Sequence, residues 1–307
     1  MSRSTLKFTV QAGLFVGLIT LDLIYLTEQL PTANQKIVAL DSTLAAGGPA
    51  TNAAVAFRVL GNSATVMGVA GQHPLTQIAI ADLAQQQVAI ADLNPAWTDP
   101  LPTSSILVTR TTGERAVVSL NATRTQASPH QMPPDCWQGM QVVLVDGHQM
   151  AVGQAIARQA REQGIPVIAD CGSWKPGFEQ VLPWVDYAIC SANFLPPDCA
   201  VVEAIHPGDP VMQAKRVGDR LSAFGIPHIA VTQGGSPIQV FSQGQHIQIP
   251  VPSIRPVDTL GAGDILHGAF CHFILETQDF TDALTQAAAI ASRSCQFFGT
   301  RQWIEHR

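Results

Sequence analysis

Short apolar runs alternate with stretches whose apolar residues recur at helical spacing along most of this chain. Runs at Leu14 to Thr20, Ala64 to Ala70, Val88 to Leu93, Val142 to Val145, Pro166 to Ala169, Tyr187 to Cys190 and Ile229 to Val231 predict strands, with short strands at Ile238 to Phe241 and His246 to Ile249. Helices are expected between them: an alanine-rich one after Pro49 that ends at Gly61, then Leu75 to Gln86, Ala151 to Gly164, Val211 to Phe224 and Thr281 to Phe297. This alternation implies an α/β fold with a mostly parallel sheet and helices on both faces. Two segments break the rhythm. Gln35 to Ala45 reads as extended, and Ser104 to Thr109 with Arg115 to Asn121 flank Arg110-Thr111-Thr112-Gly113-Glu114, a hairpin signal. Together they predict a small sheet over a cleft. The Pro-rich patch Pro196 to Pro210 reads as a loop, and with no repeat or low-complexity linker the chain 1–307 is expected to be one domain.

Polar and glycine-rich residues fall at successive strand ends: Asp22, Asp146, Asp170, Asn193, Thr232 to Gly235 and Asp264. In open α/β sheets that edge is where ligands bind. The run Leu14 to Thr20 is expected to be a central strand delivering Asp22 to its C-terminal end, although a lone strand-end carboxylate can simply be solvated. Gly47-Gly48-Pro49-Ala50-Thr51-Asn52 leads into the alanine-rich helix. Paired glycines permit close backbone approach, and an Asn there carries both donor and acceptor for a hydroxylated ligand. A tight loop-to-helix joint with Asn52 satisfying backbone groups would look the same.

The stretch from Arg255 to Glu276 organises the rest. Apolar residues Ile265, Leu266, Ala269, Phe270, Phe273 and Ile274 predict a helix that begins near Gly261 to Asp264. Unpaired N–H groups and the positive end of the macrodipole suit a phosphate at such a start. A carboxylate there repels an anion unless it has a task such as accepting a proton from a nucleophile; otherwise Asp264 is a residue the helix dipole favours. A Rossmann fingerprint fails, because Leu266 occupies the sixth position after Gly261 and Gly263, and none of Lys7, Lys36, Lys175 or Lys215 has a P-loop setting.

Charged residues make up only 13% of the 307, so part of the surface is expected to be covered by a lid or a second subunit. A net charge of −6 argues against a nucleic-acid partner. Six cysteines lie scattered without a C-x-x-C pair and read as buried thiols in a reducing cytosol. Neither a signal peptide nor a membrane span is legible, since Leu14 to Leu26 is short and carries Asp22, so a cytoplasmic location is expected. No His/Cys cluster has metal-ligand spacing; His148 and His267 read as structural, and His130, His206, His246 and His306 as surface residues.

The run Asp258-Thr259-Leu260-Gly261-Ala262-Gly263-Asp264 resembles the D-T-x-G-A-G-D signature of ribokinase-like (PfkB-type) carbohydrate kinases. Gly47-Gly48-Pro49-Ala50-Thr51-Asn52-Ala53-Ala54 with Leu60-Gly61 resembles that family's N-terminal signature, and Gly17 with Asp22 and Thr232-x-Gly234 fit as well. The resemblance spans nearly the whole chain and leans towards the ketohexokinase-like and sulfofructose-kinase-like branch. It implies a ribokinase-like three-layer α/β/α fold with a small β lid, and ATP-dependent phosphorylation of a small carbohydrate, a ketose or furanose, with Mg²⁺. Asp22, Gly47, Gly48 and Asn52 would hold the sugar, Asn193, Thr232, Gly234, Gly235 and Thr259 would line the ATP site, and Gly261, Ala262 and Gly263 would bind the transferring phosphoryl group. Asp264 would be the base. The lid is expected to pair two subunits.

The chain also departs from that pattern. Pro196 stands where an N-x-x-E motif starting at Asn193 has its Glu, Gln72 and His73 replace an acidic pair, and Thr20 replaces a frequent Asn. These changes bear on metal placement and substrate identity rather than on the fold. A nucleoside kinase of the same fold would favour aromatic residues around Asp22, where only Tyr25 is near. A non-catalytic sugar- or nucleotide-binding regulator would not need Asp264.

Overall fold

The computed structural model describes residues 10–120, 125–205 and 208–306. Nine strands form the main sheet: β1 (Ala12–Val16), β4 (Ser63–Gly68), β5 (Val88–Asp92), β8 (Val142–Val145), β9 (Val167–Cys171), β10 (Tyr187–Ser191), β11 (His228–Gln233), β12 (Ser236–Ser242) and β13 (Gln245–Ile249). Their order is β13-β12-β11-β10-β9-β8-β1-β4-β5, parallel except for the antiparallel β12 and β13 at one edge. After β1 the chain builds outward through β4 and β5, then returns to build the other way from β8. The reversal between β1 and β8 opens a crevice at their C-terminal ends. One apolar cluster holds Phe15, Phe57, Leu144, Ile189 and Phe270, and a second holds Leu14, Val145, Ile156, Phe178 and Leu221. Adjacent residues of β1 and β8 thus serve opposite faces, as a sheet covered on both sides requires.

Helix α1 (Pro49–Val59), α7 (Ala262–Thr277) and α8 (Phe280–Ser294) contribute to the first of these layers; α3 (Met150–Glu162) and α6 (Pro210–Ser222) contribute to the second. Helix α2 (Pro74–Gln85) is capped by His73, whose Nδ1 accepts from the Leu75 N–H at 3.2 Å. That is the work done here by one of the residues that replaces the acidic pair. Helix α7 lies close against α1 because Gly268 has no side chain: a Cβ there would overlap the Ala53 carbonyl. The contact brings the N-terminal turns of both helices to the crevice.

The predicted alternation holds, with three corrections. The run Leu14 to Thr20 is not one strand: β1 ends at Val16, the chain bends at Gly17, and β2 (Thr20–Thr27) joins a second sheet. Asp22 therefore enters the cleft from that sheet rather than from the end of a central strand. The bend is fixed by Asp146 at the end of β8, whose carboxylate accepts from the Leu18 N–H at 2.9 Å and occupies the space a side chain at Gly17 would need. Second, the extended segment forms a strand only from Asp41, as β3 (Asp41–Gly47). Third, the Pro-rich patch contains helix α5 (Pro197–Ile205), begun by a proline whose missing N–H costs nothing in a first turn. Between these stands a short helix, α4 (Phe178–Val181).

The small sheet has the order β3-β2-β6-β7, with β6 (Thr103–Thr109) and β7 (Arg115–Ser119) forming the expected hairpin; Asn121 lies outside the described residues. Register places Asp22, Ile24, Ser104, Ile106, Val108 and Arg115 on one face. Ile24, Ile106 and Val108 pack on Phe298, Val257 and Leu260 of the body. The opposite face carries Leu23, Tyr25, Leu44, Leu107 and Val118, of which Leu44 is 49% and Val118 77% exposed. All six cysteines are free, and Cys136 alone among them is only half-buried. No helix among the described residues is long and apolar enough to cross a membrane.

Candidate active site

The cleft is built where α1, α7 and the small sheet meet. Gly261 adopts a left-handed φ of 72° at the N-cap of α7, and Asp264 lies in the first turn. A side chain at Gly263 would meet nothing within 4 Å, so there is open space beside the first turn of the helix, where the Ala262 N–H makes only a long 3.4 Å bond to the Thr259 carbonyl. Asp264 Oδ2 accepts from Asn52 Nδ2 at 2.9 Å, across the contact between α1 and α7. Asp264 is partly open to the cleft and otherwise ringed by protein. Burial, reinforced by the nearby Asp170 carboxylate, pushes its pKa up to about 7, against the opposing effects of Asn52 and His267. That is the range in which a carboxylate can exchange a proton with a hydroxyl near neutral pH.

Across the cleft, Asp22 is buried and accepts from Thr20 Oγ1 at 2.8 Å. Burial raises its pKa, while hydrogen bonds from Thr20 and Ser104 and the Arg301 charge work against the rise. Thr20, the other departure, thus supports Asp22 directly. Gly47 abuts the Asp22 carboxylate so closely that a Cβ would fall inside it, and Gly48, at φ 100°, leaves no room against the Leu18 carbonyl. The glycine pair is therefore required by sterics. Asp146, singled out as a strand-end carboxylate, is structural: its oxygens accept from the N–H groups of Leu18, Ala50 and His148. Burial opposes its charge, yet His148 and these N–H groups hold its pKa down to about 2. Asp170 lies within β9, with Oδ2 3.3 Å from His267 Nδ1, and burial raises its pKa. His267 ties α7 to the sheet through Ile189 O (3.1 Å), while its Nδ1 sits 2.7 Å from Gly263 O one turn back in the same helix, the structural role read from the sequence.

The remaining predicted positions form a second group along the same sheet edge. Asn193 follows β10 and is exposed, and its N–H donates to Ser191 Oγ at 3.1 Å. Thr232, near the end of β11, donates to the Cys190 carbonyl at 3.1 Å; Gly234 and Gly235 form the open turn into β12. Thr259 precedes α7 and receives Arg115 Nη1 at 3.2 Å on both its carbonyl and its hydroxyl, which links the lid to the signature loop. Asp258 fastens that loop by accepting from the N–H groups of Leu260 (2.8 Å) and Gly299 (2.9 Å). Strand order puts this second group on the β10–β11 side of α7, and Asp22 with the glycine pair on the β1 side. A cavity of about 290 Å³ lined by Tyr187, His228 and Phe280 lies at the opposite edge of the sheet, away from this chemistry.

Sequence reasoning missed Arg301, Thr300 and Asp82. Arg301 donates to Asn52 Oδ1 at 3.0 Å and pairs with Asp82 Oδ2 at 3.0 Å, and Thr300 packs on the Gly261 turn. They come from α2 and from the end of the chain, and no local spacing marks them.

A two-sided cleft over a helix N-terminus, with a carboxylate in its first turn, defines a phosphotransferase site on a ribokinase-like α/β fold. A model of the pfkB family carbohydrate kinases matches residues 13–307, and the chain belongs to that family. It is an ATP-dependent sugar kinase. It is 24% identical to a ribokinase of Lactococcus lactis over 297 residues, covering 93% of this chain and 91% of that protein. Identity to a deoxyribokinase of Salmonella typhi is 22%, with 93% of each chain covered. The structure of an Arabidopsis thaliana ribokinase complexed with ribose and ATP superposes with a TM-score of 0.75 at 21% identity, over 95% of this chain and 94% of that one.

Proposed function

We propose that this kinase phosphorylates a small ketose or furanose, with Asp264 as the base. The observation that carries the reading is Asp264 itself, a carboxylate with pKa about 7 in the first turn of α7, held by Asn52 beside the open space at Gly263. Asp22, Gly47, Gly48 and Asn52 hold the sugar; the surroundings of Asp22 are the hydroxyls of Thr20 and Ser104 and the Gly47 backbone, which suit hydroxyl groups rather than a stacked base. The acceptor hydroxyl gives its proton to Asp264 as its oxygen attacks the γ-phosphorus in line, and the bond to the bridging oxygen breaks so that ADP leaves on the opposite side. The N–H groups of Gly261, Ala262 and Gly263 stabilise charge on the transferring group. Asn193, Thr232, Gly234, Gly235 and Thr259 line the nucleotide side. The lid, linked by Arg115 to Thr259, excludes water and suppresses ATP hydrolysis. A panel of aldoses, ketoses and nucleosides assayed for ATP-dependent phosphorylation tests the reading; turnover of nucleosides alone would overturn it.

Mg²⁺ fits this site as an ion carried by the nucleotide. Among the described residues no three His, Cys, Asp or Glu side chains gather as a ligand set. Glu203, the nearby acid that could stand in for the Glu replaced by Pro196, is committed to Arg216 at 3.0 Å and to the Gly208 N–H at 3.1 Å. Mg²⁺ keeps most of its waters and needs few carboxylates, so phosphates and water would hold it, with Asn193 reaching it through water. Bound there it would neutralise phosphate charge. Half-activation is expected at roughly high-micromolar to millimolar Mg²⁺, with no activity in EDTA. Glu203→Ala is expected to lower the thermal midpoint while leaving the Mg²⁺ response unchanged. Tight Mg²⁺ binding by calorimetry without nucleotide would contradict this placement.

The apolar outer face of the lid supports pairing of two subunits through Leu23, Tyr25, Leu44, Leu107 and Val118. Light scattering at micromolar concentration is expected to give twice the chain mass, and Leu44→Asp with Val118→Asp to give one chain mass. A monomeric parent protein would rule the pairing out.

A further inference from the structure

Arg301 lies beyond α8, where the chain folds back to the start of α1. Its side chain is only 14% exposed. Nη1 donates to Asn52 Oδ1 (3.0 Å), Thr300 Oγ1 (3.1 Å) and the Thr300 carbonyl (3.3 Å). Nη2 donates to the Ala46 carbonyl (2.6 Å) and Asp82 Oδ2 (3.0 Å), and Nε to Asp82 Oδ2 (3.3 Å). Asp82 Oδ2 also accepts from the Ala46 N–H at 2.9 Å. Every guanidinium nitrogen is engaged within the protein, so Arg301 is not poised to bind a ligand. It grips instead the Ala46 carbonyl, and through Asp82 the Ala46 N–H, where β3 passes into the glycine pair, together with the amide of Asn52.

That grip decides which way Asn52 faces. A guanidinium only donates and an ionised carboxylate only accepts. Asn52 stands between one of each, so its oxygen must face Arg301 and its nitrogen Asp264. Asp264 Oδ2 is thereby held by Asn52, and Oδ1 is left for the acceptor hydroxyl. The second Asn52 N–H remains for the sugar. We propose that Arg301 is a positioning residue for phosphoryl transfer: it locks the Asn52 amide, which orients Asp264, and ties both to the Ala46 peptide at the foot of the lid. The proposal rests on the reading of Asp264 as base.

A double-mutant cycle tests it, with Arg301→Met, Asn52→Ala and the pair, alongside Asp264→Asn. Arg301→Met is expected to lower kcat by about 10- to 100-fold with the KM for ATP within about twofold of the parent. The pair is expected to be no worse than the worse single variant by more than about threefold, because Arg301 acts through Asn52. Losing the oriented Asn52 bond removes an influence that holds the Asp264 pKa down, leaving Asp170, His267 and Asp22 as the charged or titratable groups facing it. The acid limb of kcat/KM is therefore expected to move to higher pH. Losses that multiply across the cycle, or a normal kcat in Arg301→Met, would overturn the proposal. Should Arg301→Met not fold, Arg301→Lys keeps the charge beside Asp82 but not the planar fork. It is expected to fold and still lose kcat, and a full kcat there would also overturn the positioning role. Full kcat in Asp264→Asn sinks the base beneath it, whereas additive losses with an inactive Asp264→Asn sink the positioning alone.

Discussion

Asp264→Asn is expected to lower kcat by about 10² or more while sugar and ATP still bind, since Asn keeps the shape and loses the ability to take a proton. The parent enzyme should show kcat/KM rising about tenfold per pH unit below a pKa near 7 and levelling above it, because only ionised Asp264 can accept the hydroxyl proton. The variant should be flat through that range. Stability gives an independent check. Burial raises the folded pKa of Asp264 to about 7, above the ordinary carboxylate value of about 3.8. Its contribution is therefore fully present below about pH 4 and is lost as pH rises through about 7, where folding must hold a carboxylate charge in a poorly solvated place. Asp264→Asn should accordingly raise the thermal midpoint relative to the parent at pH 8 and not at pH 4. A variant with most of its kcat would reduce Asp264 to a first-turn residue favoured by the helix dipole.

Gly47→Ala should lower kcat/KM for the sugar by about 10²-fold, the scale of a reacting group misplaced by about 1 Å. The added methyl has no free space: it would fall within the Asp22 carboxylate and crowd Thr20 Oγ1 at 2.6 Å. Either Asp22 turns away from Thr20, or β2 and β3 separate where Thr20 pairs with Gly47. Both outcomes disturb the proposed sugar side, while Asn193, Thr232, Gly234 and Gly235, proposed for the nucleotide side, lie at or after the ends of β10 and β11 and do not meet Gly47. The KM for ATP should therefore stay within about twofold. Isothermal calorimetry with the accepted sugar and with ATP would separate the two effects; equal weakening of both ligands would mean that the methyl disrupts the whole cleft.

Much of this site was legible because its chemistry is local. The turn at Gly261, the exposed first turn of α7 and Asp264 lie within a few residues, and the helical period after them marks where the helix starts. The glycine pair before α1 is similar: an Asn four residues after Gly48 reaches the cleft because one helical turn separates them. What stayed hidden depends on distant segments. The sequence puts Asp22 just past the end of a central strand, since nothing in the apolar run from Leu14 to Leu26 shows that it bends at Gly17 and changes sheets. The bend is imposed by Asp146, 128 residues from Leu18. Asp146 itself looked like a cleft carboxylate and proves to be consumed by backbone N–H groups.

The amino-acid sequence alone determined the α/β alternation, the hairpin of the lid, the phosphate-suited start of α7 and the family, because each is written in the period of a single element or in a contiguous motif. Tertiary structure alone decided the four-stranded composition of the lid, which face of it is apolar, and the orientation of Asp264. The Asp264 carboxylate is aimed by Asn52, 212 positions away, and Asn52 is held by Arg301, 249 positions away. Those contacts exist because Gly268 lets α7 lie against α1. The pKa near 7 is likewise a property of assembly: it comes from burial and from the approach of Asp170, neither of which any local spacing encodes.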